Sequence, residues 1–243
     1  MNIRKSWTVA MKDFSVFRRK RYILYSLIVV PLILSILFPS TLLFPSASSK
    51  IPSQLLISLL NSFFSIFIIL AAIIPSVIAS YSFVGEKIEK SLEPLLATPA
   101  TDSELLLGKG LSAFIPSIAA TYAGAAIFMI LVDTFTYSQY GLLFPNWNAA
   151  VILVLAAPLA CILSVEFSII ISARVSDIRT AQQMGALVII PLLGIFLLSE
   201  TNTLAIDVYS LLIISGILFA VDVGLFFVSR ATFQREEILT RWK

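Results

Sequence analysis

The sequence predicts an all-α integral membrane protein, with an N-terminal interfacial amphipathic helix followed by six transmembrane helices. Three observations carry this. The chain has 243 residues, 58% hydrophobic and 13% charged, with a mean hydropathy of +0.97. A soluble domain carries about 25% charged residues, so too few polar side chains are present to cover a globular surface, and disorder is excluded by the apolar content. Six apolar stretches each approach the roughly 20 residues needed to cross hydrocarbon. Finally, the basic residues segregate: of 17 Lys and Arg, all but Lys50 fall in alternate inter-span segments or the termini. Basic loops stay in the cytoplasm during insertion, so both termini are expected there, in a multi-pass protein of the cell membrane.

The expected spans are Tyr22–Leu43, Leu55–Val84, Gly110–Val132, Asn148–Ser172, Met184–Ser199 and Tyr209–Ser229. They form one transmembrane domain over residues 1–243, with residues 1–21 as the interfacial helix, 85–109 as a cytoplasmic segment and 230–243 as a cytoplasmic tail. In the first segment Ile3, Trp7, Met11 and Phe14 recur at helical spacing, while Lys5, Lys12 and Arg19 lie on another face. That pattern fits a helix with an apolar face in lipid and lysines at the headgroups, beyond a cluster that merely fixes topology. The second span, at 1.5 Å per residue, runs about 45 Å, so it must tilt or project from the bilayer. Met184–Ser199 is short and has Pro191 and Gly194 near its middle. A re-entrant segment there would send the basic tail to the wrong side, so it reads as a full span kinked near Pro191.

Composition removes several chemistries. Without histidine there are no His metal sites, His general bases or Ser-His-Asp systems. The single cysteine, Cys161, can form no internal disulfide. No catalytic residue, metal site or nucleic-acid partner is expected. Among acids, Glu166 and Asp222 alone lie well inside spans; Asp133, Glu200 and Asp207 fall at outer ends. Both intramembrane acids are six or seven residues from the cytoplasmic end of their spans, about 9–10 Å deep. They lack a basic partner at that depth, where an ionised carboxylate costs roughly 2.5–3.5 kcal/mol. Either they form a possible translocation pathway for a cation or proton, or they hydrogen-bond locally and hold helices together. Pro31, Pro75, Pro116, Pro158 and Pro191 sit within five spans. Each frees a carbonyl and permits bending, either for gating or as ordinary prolines of membrane helices.

The 85–109 segment carries the most information. Ile88, Leu92, Leu95 and Leu96 make an apolar stripe, Pro94 and Thr98-Pro99 limit the helix, and Thr101-x-x-Glu104 reads as a capping box opening the third span. Leucines with no cytoplasmic domain to cover them point to docking on another protein, or to folding back onto the ends of neighbouring spans.

These residues also resemble a family. Gly85-Glu86-Lys87, then Ser91 through Pro99, then Glu104 and Leu107-Gly108-Lys109, resemble the membrane subunits of ABC-2 type ATP-binding-cassette exporters. There a helix of the form E-(K/R)-E-x-G-T-L-E-x-L-L-x-T-P precedes Leu-Gly-Lys. The match holds at Glu86, Glu89, Leu92, Glu93, Leu95, Leu96, Thr98, Pro99, Gly108 and Lys109, and departs at Lys90-Ser91. Residues 176–183 and 233–239 resemble the family's second cytoplasmic loop and ending.

The resemblance implies a permease of the small prokaryotic exporter group, pairing with a second copy of itself or a paralogous permease. Each copy would dock a separate ATP-binding subunit, with ATP and Mg held on that partner and no cofactor in this chain. Glu86, Glu89, Leu92, Glu93, Leu95, Leu96, Asp177 and Arg179 would make that contact. The chain has no G-x-x-x-x-G-K-[ST], since Ser103 stands where the upstream glycine is needed, so it is not itself expected to be an enzyme. The substrate does not carry over. The rival readings are a standalone secondary transporter or channel using Glu166 and Asp222, and a membrane scaffold recruiting a cytoplasmic protein. An intramembrane enzyme finds no support, lacking His and closely spaced acids.

Overall fold

A computed structural model describes residues 3–17, 21–43, 52–88, 101–175, 177–200 and 207–232. All regular structure among the described residues is helical. Helix α1 is Ile3–Phe17, α2 is Arg21–Leu43, α3 is Ser53–Phe64 and α4 is Ile66–Ile88. Helix α5 is Asp102–Tyr140. Helix α6 comprises Trp147–Val151, a π turn at Ile152–Ala156 and Ala157–Arg174. Helix α7 (Ile178–Gly185) passes through a 3₁₀ turn, Ala186–Val188, into α8 (Ile189–Glu200). Helix α9 is Val208–Thr232. Five helical stretches are long and apolar enough to cross a membrane: Ser53–Glu86, Ser103–Tyr140, Trp147–Ser172, Ile178–Leu198 and Val208–Ser229. Helix α2, with its apolar stretch Leu27–Ser40, supplies the remaining expected helix.

The second expected span is one helix with a bend at Ser65. There Ser65 N–H is shared between the Asn61 and Ser62 carbonyls, Ser65 Oγ donates back to Ser62 at 2.7 Å, and Ile68 N–H closes a tight turn onto Ser65. Serine back-bonding of this kind bends helices. The third span is longer than expected at both ends. Its N-terminus has the capping box that the sequence announces: Thr101 N–H donates to Glu104 Oε2 at 3.0 Å and Glu104 N–H to Thr101 Oγ1 at 3.4 Å. Its C-terminus runs on to Tyr140, where Gly141 turns the chain with a φ of 73°.

The fifth span begins at Ile178, earlier than Met184, because Asp177 caps it: Asp177 Oδ2 accepts from Thr180 N–H at 2.9 Å. Its irregular turn lies at Ala186–Val188, just before Pro191. Pro191 has no N–H to donate to the carbonyl of Leu187, which lies in that tightened turn.

Pro158 has a different outcome. It lacks an N–H for the preceding turn, which widens into the π turn, and the Leu153 carbonyl accepts from Tyr122 Oη at 2.6 Å instead. The freed carbonyl is thus satisfied by a neighbouring helix. Pro31, Pro75 and Pro116 lie in uninterrupted α-helix.

The α3–α4 unit is the centre of the bundle. In Ser53–Glu86, 78% of the apolar stretch is buried, against 22–44% in the other four. Helix α4 packs chiefly on α6 and α5, and Ser164 Oγ donates to the Ala72 carbonyl at 2.6 Å. Helix α2 approaches α5 closely at Gly124, where a Cβ would come within 2.8 Å of Pro31, and Ser35 Oγ donates to the Gly124 carbonyl at 2.7 Å. At the end away from the basic residues, Phe64, Phe67, Phe128 and Phe144 form an aromatic cluster with centroids 5.1–5.9 Å apart. The loop that delivers Phe144 is held by Asp133, which accepts from the Leu143 and Phe144 amides. Asp133 is therefore a structural acid and not simply a hydrated one.

Candidate functional site: an ion cluster and an intramembrane cleft

Two features stand out, one at the basic end of the bundle and one within its walls. The first is built by α1, α4 and α5. Lys109, one helical turn past Leu105 on α5, is 2% exposed. A buried ammonium needs anions and hydrogen-bond acceptors around it, and two helices supply them. Glu86, near the end of α4, places Oε2 2.6 Å from Lys109 Nζ; Asp13 of α1 places Oδ2 at 3.7 Å. Lys12 Nζ meets the other Glu86 oxygen at 2.7 Å. Ser112 Oγ lies 3.3 Å from Asp13 Oδ2. The order Lys12, Glu86, Lys109, Asp13 alternates in sign, so every charge has an opposite neighbour.

Gly108 explains how α1 comes this close. A Cβ there would lie 2.7 Å from both the Ser6 carbonyl oxygen and Val9 Cβ. The Gly108-Lys109 pair thus combines a close backbone approach with a buried charge. The face of α1 that packs is Ser6, Ala10, Asp13 and Phe17, all buried, whereas Trp7 and Met11 are about half exposed. Both exposed side chains belong to the face expected in lipid. The sequence places Lys12 among headgroups; the structure pairs it with Glu86.

Of the residues that the sequence singles out for partner contact, Glu86 is buried in this cluster. Glu89, Leu92, Glu93, Leu95 and Leu96 lie outside the described residues, as do Thr98 and Pro99. Ile88, the first residue of the leucine stripe, is 55% exposed. Asp177 caps α7, and hydrogen bonds from the Thr180 amide and hydroxyl hold its carboxyl below the usual aspartate range. Arg179, on the first turn of α7, is exposed. Asp13 carries no signal in the sequence beyond being an acid on a basic helix.

Residues 7–206 match the ABC-2 family transporter proteins. The chain belongs to that family. It is a membrane permease subunit of an ABC transporter, which sets aside the standalone-transporter, channel and scaffold readings. No curated protein matches the chain.

The second feature of this ABC-2 permease is a cleft of about 670 Å³ between α5, α6 and α9. Leu106, Leu111, Phe114, Val165, Ile169 and Phe226 give it apolar walls, and Glu166 is the charged residue among the described ones that line it. Glu166 Oε2 is buried without a hydrogen-bond partner among the described residues. Asp222 on α9 is 5% exposed, and neither of its carboxyl oxygens has a hydrogen-bond partner among the described residues. The two acids, expected at one depth, lie on α6 and α9. Helices α6 and α9 pack directly.

Proposed function

We propose that this permease exports its substrate with a separate ATP-binding subunit docked on the segment between α4 and α5, in an assembly with a second copy of itself or a paralogous permease. The observation that carries this reading is the buried ion cluster. It ties Glu86, just before the segment, to Lys109, just after it, and braces both against α1. A docking segment that transmits force needs rigid attachment at both ends; a solvated loop needs none. Glu86 acts here as a positioning residue, while Glu89, Leu92, Glu93, Leu95 and Leu96 are the proposed contacts. Asp177 and Arg179, at the start of α7, would flank them. Both termini and this segment would face the cytoplasm from the cell membrane, where ATP and Mg reside on the partner.

The test is co-expression with the ATP-binding subunit. Wild type should co-purify as an ATPase. Glu93→Arg with Leu95→Asp should release the subunit while the permease stays monodisperse, because burying one leucine contributes roughly 1.5–3 kcal/mol and a reversed charge adds repulsion. Undiminished co-purification and ATPase activity would place the contact elsewhere.

A further inference from the structure

We propose that the cleft between α5, α6 and α9 is a binding site for a lipophilic organic monocation. Its volume of about 670 Å³ lies within the range of small-molecule pockets, about 300–1,000 Å³. Such pockets combine apolar walls with few, well-placed polar groups, and this one has Glu166 as the charged group among its lining residues. Among the described residues, no lysine or arginine lines it. An anionic guest, or a neutral one without a hydrogen-bond donor, would leave the Glu166 oxygen as it is. A cation would complete it, and Asp222, on the directly packed helix α9, supplies a second carboxyl whose oxygens have no hydrogen-bond partner among the described residues.

The walls decide which cation. A small inorganic ion requires about six oxygen ligands, and the lining offers mostly hydrocarbon and two aromatic rings, Phe114 and Phe226. A cation whose charge is spread beneath an apolar surface loses little hydration on entry and gains from aromatic faces. Thr101, the cap of α5, Ser103, on its first turn, and Ser229, near the end of α9, place the polar edge of the cleft at the basic end. That position suits a guest arriving from the adjoining leaflet. The assignment of this guest as cargo rests on the exporter reading above; its binding does not.

The test uses the full chain in lipid nanodiscs and two probes of the same shape and opposite charge, tetraphenylphosphonium and tetraphenylborate. The phosphonium should bind saturably, and the borate at least tenfold more weakly. Glu166→Gln should weaken phosphonium binding at least tenfold, and Asp222→Asn by a smaller factor. Gly110→Leu supplies an independent arm. Gly110 lines the cleft, and a Cβ there meets Val165 only at 3.7 Å, so the side chain fills the site and leaves Glu166 charged. It should abolish saturable binding. If Glu166→Gln impairs folding, judged by gel filtration and thermal melting, Gly110→Leu and the probe pair still decide. Equal binding of both probes, no saturable binding of the phosphonium, or binding indifferent to these substitutions would overturn the proposal. None of these readouts involves the ATP-binding subunit, so failure of docking and failure of this site are separable.

Discussion

Glu86 and Lys109 meet at 2.6 Å, with the lysine side chain 1% exposed. Residues 89–100 lie between them in sequence, so this pair fastens the two ends of the proposed docking segment to one point. Breaking one side of a buried pair leaves an uncompensated charge and costs about 3–5 kcal/mol. Lys109→Ala should therefore lower thermal stability strongly. Lys12→Ala should cost under about 1 kcal/mol, because the Lys12 side chain is 44% exposed and its pair is partly screened. Similar melting shifts for the two variants would refute a distinct role for Lys109.

Gly108 and Gly110 make a steric contrast on one helix. Gly108→Ala meets backbone oxygen and Val9 at 2.7 Å, whereas Gly110→Ala meets Val165 at an ordinary 3.7 Å. The first should displace α1, raising proteolysis within residues 3–17. The second should leave cleavage there unchanged. Equal protease sensitivity would show that α1 does not rest on Gly108.

Tyr122 and Pro158 are coupled through the Leu153 carbonyl. Tyr122→Phe should cost about 0.5–1.5 kcal/mol, the net worth of a hydrogen bond. Pro158→Ala restores an N–H and permits the turn to close. In that background Tyr122→Phe should cost measurably less. An additive double-mutant cycle would refute the coupling.

Asp177 gives a pH dependence with a defined sign. Its carboxyl is held below the usual aspartate range by the Thr180 amide and hydroxyl. A depressed folded value means that the cap stabilises α7 fully above the unfolded value of about 3.9. The contribution fades as pH falls through the folded value. The protection factors of the amides at the start of α7, which correct for the intrinsic pH dependence of exchange, should be flat near neutrality and fall only in acid. Asp177→Asn retains a capping acceptor and should remove that acid step.

The charge segregation sets an orientation that cysteine labelling can read. Cys161 is buried, so the native thiol stays silent. Cysteines introduced at positions 47 and 140 should label from outside intact cells. Those at 90, 178 and 238 should label only after permeabilisation. External labelling at 238 would require a chain that crosses an odd number of times.

What the sequence announces here is local or cumulative. The Thr101–Glu104 capping box is read from four residues, and span identity from some twenty apolar ones, so neither needs a distant partner. The bend at Ser65 and the early start at Asp177 are less visible, since both hinge on where a short side chain donates or accepts. The ion cluster is invisible for another reason. Asp13, Glu86 and Lys109 come from three helices, and no period links them. Lys109, at the start of a long apolar run, is the one hint that a charge there must have a partner. For Glu166 and Asp222 the depth argument brings the acids to one level, while the cleft beside them arises only from three-helix packing.

Helix α5 has leverage. It runs from Asp102 to Tyr140 without interruption, with Pro116 as its one internal proline. At 1.5 Å per residue the arms on either side are about 21 and 36 Å long. A tilt about Pro116 that shifts the Asp102 end by about 1 Å swings the Tyr140 end by about 1.7 Å. The short arm carries Lys109; the long arm carries Phe128 and Asp133, which anchors the loop of Phe144. A tilt of this kind would gear up small displacements at the ion cluster on their way to the aromatic cluster at the opposite end of the bundle.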